Sequence, residues 1–147
     1  MLSEVLSEDT VLPDLDADSM DVVMEALLEM LCRTGKISDP EQARQDLEAN
    51  TRRMSVGMDH GIAIPHARTD SVQELIACVA VTRQEMDIES VDGRPARIFI
   101  MTLSPRDATG PHIQFLSEIG KRLKHRSNRQ AALEARSPSE LLHVFTG

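Results

Sequence analysis

The chain has 147 residues, 41% of them hydrophobic, a size and content that fit one domain over 1–147 with a single core and one functional site. Sixteen Lys and Arg against twenty-four Asp and Glu leave a formal net charge of -8, the wrong sign for broad binding to a phosphate backbone. With no Trp, no Tyr and three Phe there is no aromatic platform for bases or sugars, so nucleic acid is not expected as a partner.

The first strong helix pattern is "SMDVVMEALLEMLCRTG". Ser19 can cap it, Val23, Leu27, Met30 and Leu31 fall on one face, and Gly35 offers a stop. A second helix opens at "DPEQARQDLEAN", with Asp39 as cap, Pro40 in the first turn, and Ala43 and Leu47 facing inward. The period then changes. "IAIP" is a short apolar run closed by a proline, "ELIACVAV" from Glu74 to Val81 reads as a buried strand, and "ARIFIMTLS" from Ala96 to Ser104 as another, with an Asp-Gly turn at Asp92 and Gly93 between the last two. A third helix is expected to start near Pro111 with an inward stripe of Ile113, Leu116, Ile119, Gly120 and Leu123. Two shorter helices follow, one around "NRQAALEA" and one opened by the capping box "SPSE". Helices, then strands, then helices again imply an α/β fold, a small sandwich of sheet and helices.

Cys32 and Cys78 sit inside apolar runs and read as buried, reduced thiols. The N-terminal "MLSEVLSEDT" lacks the basic start and apolar centre of a signal peptide, and no run is long enough to span a bilayer. A cytoplasmic location without direct membrane insertion is the expectation.

Five histidines carry the chemistry worth weighing. His125 and His143 lie near helix ends, where an imidazolium is an ordinary surface or cap residue. His66 stands directly behind Pro65, which has no N–H for a sheet and is expected to end the strand and present the next side chain on a rigid loop. His112 falls in the first turn of the third helix, where free N–H groups and the positive dipole end favour an anion. If the fold brings the two together, one can attack phosphorus while the other supports the phosphoryl oxygens. Two alternatives stand beside this pair: histidines that are merely structural, and a metal site of His60, His66 and His112 with Asp59. The six-residue gap from His60 to His66 matches no zinc spacing, and no HExxH or CxxC is present. No GxSxG elbow supports serine hydrolysis.

"GIAIPHAR" resembles the phosphohistidine signature of the fructose, mannitol and nitrogen-regulatory (type 2) enzyme IIA domains of the bacterial phosphoenolpyruvate:sugar phosphotransferase system. The likeness continues through "VDGRPARIFIMTLSPRDATGPHIQFLSEIGKRL" and reaches back into "LSEDTVLPDLDADSMDVVMEALLEML", covering nearly the whole chain. The resemblance implies a mixed β-sheet flanked by helices, the enzyme IIA mannitol/fructose-type sandwich. It implies His66 as phosphoryl acceptor and His112 as the supporting histidine. It further implies an HPr-type phosphocarrier as donor, enzyme IIB or a regulatory protein as target, and no cofactor or metal. Such a chain either passes the phosphoryl group onward or acts as a nitrogen-regulatory or degenerate binding protein without sugar phosphotransfer.

Two departures from the family pattern stand out, one of a pair of residues and one of a single residue. Asn50 and Thr51 stand where members commonly carry an Arg-Glu pair, and His60 stands where Asn or Glu is usual. His60, Arg52, Arg53 and Arg68 are the candidates to support the phosphoryl group, the arginines by restoring the positive charge, with Arg68 first among them because it lies two residues from His66.

Overall fold

The structure is a computed structural model that describes residues 1–53, 58–88 and 90–147. A first short helix, α1 (Leu2–Val5), and a 3-10 turn at Glu8–Thr10 lead into strand β1 (Val11–Leu15). Helices α2 (Met20–Cys32) and α3 (Pro40–Arg53) follow, then strands β2 (Ile62–Ala63), β3 (His66–Arg68), β4 (Ile76–Met86) and β5 (Ala96–Ser104), and helices α4 (Thr109–Leu123), α5 (Arg126–Glu134) and α6 (Pro138–Thr146). The sheet is mixed. Strand β4 lies between β1, to which it is parallel, and β5, to which it is antiparallel; β2 and β3 both run parallel to β5 on its far side.

Strict alternation along β4 and β5 divides the core into two halves. Cys78, Ala80, Phe99, Met101 and Leu103 face Val23, Leu27 and Leu31 of α2 and Ala43 and Leu47 of α3. On the other face Ala77, Val79, Val81, Ile98 and Ile100 meet Phe115, Ile119 and Leu123 of α4, Ala132 of α5, and Leu141 and Phe145 of α6. The result is an open mixed sheet flanked by helices on both faces.

The expected caps form. Ser19 accepts from the Val22 N–H at 3.3 Å, Asp39 from Gln42 at 3.1 Å, and Ser137 from Glu140 at 3.1 Å. Gly35, past the end of α2, takes φ 75°, a left-handed value that a side chain would disfavour. Buried Cys78 donates weakly to the Leu27 carbonyl at 3.4 Å, burial pushes its thiol pKa well up, and Cys32 is also a free thiol. No helix among the described residues is long and apolar enough to cross a membrane.

Some boundaries differ from the sequence reading. Strand β4 runs five residues beyond Val81, because its polar end "TRQEM" still pairs with β5 at Met86 opposite Ala96. Strand β1 carries Pro13 in its middle, which an edge strand with one neighbour tolerates. Helix α4 starts two residues before Pro111, and of its expected stripe Ile119 and Leu123 are buried and Leu116 packs against the core, whereas Ile113 is 62% exposed, Gly120 is also exposed, and Phe115 takes the inward place at the start of the helix. Phe115 fills the larger volume against the sheet, and that choice sets the rotation of α4. Truncating it in Phe115→Ala should cost about 3–5 kcal/mol, whereas Ile113→Ala should fall within about 0.5 kcal/mol of the parent. Urea unfolding of both variants checks this, and equal losses would contradict the phase.

Candidate functional site

Strand β2 pairs Ile62 with Ile98 and Ala63 with Phe99, and then Pro65, which has no N–H to give, interrupts the ladder. It does not end it. The Pro65 carbonyl accepts from the Thr102 N–H at 3.1 Å, and β3 resumes the pairing with His66 opposite Thr102, Ala67 opposite Leu103 and Arg68 opposite Ser104. His66 therefore lies in a short strand, not on a loop beyond the end of one. The two-residue break leaves the Ile64 carbonyl free to turn toward the His66 ring, 2.7 Å from Nδ1. A carbonyl oxygen can only accept, so Nδ1 carries the hydrogen and, in the neutral ring, Nε2 is bare. Asn50, on α3, donates its side-chain amide to the His66 carbonyl and so ties β3 to the helix layer beneath.

His112 comes from the first turn of α4, which has no side-chain cap and no acidic residue in that turn. Its free N–H groups and positive dipole end face an incoming anion without a built-in competitor. The His66 and His112 rings stand 5.7 Å apart, centroid to centroid, tilted by 43°. Thr102, buried in β5, joins them: it is the sheet partner of His66, and its Oγ1 lies 3.0 Å from His112 Nε2. Burial lowers the His112 pKa from its ordinary value, and the His66 ring and the Arg68 guanidinium push in the same direction. His112 is thereby favoured in its neutral form, able to donate to an oxygen without bringing a full charge.

On the other side of His66 opens a hollow of about 430 Å³, lined by Asp46, Asn50, His66, Arg68 and Arg106 among others. Arg68 is exposed and donates from Nη1 to the Arg106 carbonyl at 3.4 Å. Arg106 is held from both sides, 3.7 Å from Asp46 and 3.4 Å from Asp70. Of the candidates for the absent arginine, Arg68 is in place, joined by Arg106, which sequence reasoning missed. The Arg52 and Arg53 side chains lie outside the described residues. His60 is not part of this constellation. It sits in the turn before β2 with its ring 3.7 Å from Asp59 and lines a separate hollow. Among the described residues no group of three His, Cys, Asp or Glu is gathered as a metal would require. Thr102 was also missed. Its only sequence signal is a hydroxyl in an otherwise apolar run near the strand end.

A ring nitrogen that is bare in the neutral tautomer, a second histidine beside it whose neutral form is favoured, two guanidiniums and an uncapped helix start form a place where a tetrahedral anion can be attached to nitrogen and its oxygens held. The family model described as "Phosphoenolpyruvate-dependent sugar phosphotransferase system, EIIA 2" matches residues 4–147. The fructose-specific EIIA component of Haloferax volcanii is 32% identical over 122 residues, 83% of this chain and 79% of that protein. The fructose-specific EIIABC component of Bacillus subtilis is 27% identical over 98% of this chain, which spans only 23% of that larger protein. Among solved structures, the nitrogen regulatory protein IIA-Ntr of Neisseria meningitidis superposes with a TM-score of 0.87 at 25% identity, covering 98% of each chain.

The His112 environment predicts a pH dependence. The folded chain holds this proton less tightly than the ordinary 6.5. As pH falls through 6.5 toward the lower folded value, the unfolded chain therefore takes up the proton first and folded stability drops; stability rises with pH across the same interval. NMR titration of the ring should place the His112 midpoint below 6.5, and a midpoint above it would contradict the burial described.

Proposed function

The chain belongs to the type 2 EIIA family of the phosphoenolpyruvate-dependent sugar phosphotransferase system, and on that footing we propose that His66 is its phosphoryl acceptor, with Nε2 as the attacking atom. The observation that carries this reading is the bond from Nδ1–H to the Ile64 carbonyl, which fixes the tautomer and leaves Nε2 bare beside His112. The donor is an HPr-type phosphocarrier. The phosphorus–nitrogen bond of its phosphohistidine breaks as the bond to His66 Nε2 forms, and the departing imidazole keeps the bonding pair. Onward transfer to an enzyme IIB is the same exchange in the other direction.

The other residues act by position and charge, as phosphoryl transfer requires. With the Thr102 hydroxyl donating to His112 Nε2, the ring keeps its hydrogen on Nδ1 and can offer it to a phosphoryl oxygen. Thr102 is thus a positioning residue. Arg68 supplies positive charge on the hollow side, Arg106 offers guanidinium N–H groups there while paired with Asp46 and Asp70, and Asn50 holds the backbone of His66. This reading makes the chain one phosphoryl-transfer domain acting in the cytoplasm with both cysteines reduced.

A second reading is favoured by one feature, the likeness to a nitrogen regulatory protein over 98% of both chains. In it the phosphoryl group is a signal that alters binding to a regulatory target and is not passed to a sugar. Both readings need His66 to accept.

Intact mass after incubation with phosphoenolpyruvate, enzyme I and HPr tests acceptance. One acid-labile phosphoryl group is expected on the parent chain and none on His66→Ala; an unchanged gain on that variant would overturn the assignment. His112→Ala should accept about a hundredfold more slowly, the scale of losing an oxyanion donor. Thr102→Val should accept about tenfold more slowly and shift the His112 ring nitrogen resonances, while Thr102→Ser restores both. An unshifted His112 spectrum in Thr102→Val would remove the tautomer argument.

A further inference from the structure

At the opposite end of β5 lies a second concave site that phosphoryl transfer does not use. It is a hollow of about 380 Å³ between the turn before β2, the start of β5 and the first turns of α5, lined by His60, Arg94, Arg97, Arg126 and Arg129 with Glu85 as the one carboxylate. Ile98 lines it, whereas Thr102 holds the His66 site. Four residues along a strand separate the two by about 13 Å at ~3.3 Å per residue. In a chain of net charge -8, four of its sixteen Lys and Arg converge on this one depression.

Internal ion pairing does not account for that convergence. Arg94 lies 3.7 Å from Asp92 and His60 lies 3.7 Å from Asp59. Among the described residues Arg97, Arg126 and Arg129 have no carboxylate within 4.0 Å, and the Glu85 carboxylate has no cation within that distance. Arg97 donates from Nε to the Thr82 carbonyl at 2.8 Å, and Arg129 donates from Nη1 to the Leu123 and Lys124 carbonyls at 2.8 and 3.0 Å. Each of these bonds orients a guanidinium while leaving most of its five N–H groups unused. The Arg126 side chain makes no hydrogen bond or ion pair among the described residues. Gathering cations in this way costs stability unless an anion joins them.

The rim is also fixed in advance. His60 takes φ 58°, an unusual value for a residue with a side chain, and its N–H donates to Asp92 Oδ2 at 2.9 Å. The other Asp92 oxygen accepts from the Arg94 N–H at 3.1 Å, so one carboxylate ties both lips together. Those two bonds, first His60 and then Arg94, hold the Asp92 pKa below the usual carboxylate range. Gly61, at φ 76°, lets the turn pass the Pro95 carbonyl, which an added Cβ would meet at 3.3 Å.

We propose that this hollow binds a small phosphorylated metabolite, a phosphate monoester or diphosphate of about sugar-phosphate size. Guanidiniums match phosphate oxygens in pairs, and the volume falls at the small end of ligand sites, too small for a dinucleotide. The acidity of the whole chain repels a nucleic acid polyanion while leaving a compact anion free to enter. The site is independent of the phosphoryl-acceptor assignment.

The test is a ¹⁵N NMR titration of the full chain with glucose 6-phosphate and with pyrophosphate, using glucose as the uncharged control. Saturable shifts are expected at residues 60–61, 94–98 and 126–130, unchanged in His66→Ala and absent with glucose. Arg126→Gln should weaken binding about tenfold, the loss of one charge-assisted contact, and Arg126→Glu should abolish it; Arg126 is exposed, so both variants fold. Shifts confined to the His66 strand and the α4 start, equal shifts with glucose, or parent-like affinity in Arg126→Glu would overturn the proposal.

Discussion

The site rests on one register, that of β3 against the last residues of β5. His66 pairs with Thr102, and the Thr102 hydroxyl reaches His112 on α4, so a three-residue strand fixes both rings at once. Side chains alternate along a strand, so a slip by one would bring Ala67 opposite Thr102 and turn the imidazole toward α2 and α3. Several contacts prevent it. The Thr69 N–H bonds the Ser104 carbonyl at 2.9 Å, Ala67 is buried in the α2/α3 half of the core, and Asn50 takes the His66 carbonyl from beneath. Pro65 serves the same end by removing one ladder bond, which frees the Ile64 carbonyl to set the tautomer.

The electrostatics follow from that placement. His66 is half-buried and His112 shares its environment, so nearby charge acts there with less screening than at an open surface. Burial keeps His112 toward neutrality, while Arg68 and the α4 start bring positive charge to the two rings. Arg106 is held between Asp46 and Asp70 and so keeps its place before any anion arrives. Asn50 is used for backbone support, and the charge comes from the β3 and β5–α4 segments.

Much of this was legible in the residues, for physical reasons. The caps at Ser19, Asp39 and Ser137, the helical spacing of α2 and the apolar runs of β4 and β5 are local signals, and each element formed, although β4 runs on to Met86 and Glu140 accepts from the Arg136 N–H instead of closing the capping box. "IAIPH" and "GPH" marked the two histidines that the fold brings together. What sequence could not show was made by long-range pairing. Strand β3 is three residues behind a proline, too short for any period, and Thr102 and Arg106 gain their meaning only from what β3 and α3 place beside them. The α4 stripe held at Leu116, Ile119 and Leu123 but failed at its start, because Ile113 and Phe115 are both apolar and the volume of the sheet-facing gap decides between them. His60 was read with the acceptor histidine, yet its left-handed turn directs it to a different hollow.

The central claim is that strand register and the Ile64 carbonyl together present Nε2 of His66 as the reacting atom. Phosphorus–nitrogen coupling in an NMR spectrum of the ¹⁵N-labelled, phosphorylated chain tests it directly. The account predicts a single phosphohistidine at residue 66 with phosphorus bonded to Nε2 and Nδ1 still protonated. Phosphorus on Nδ1 of His66, or on His112, would contradict it.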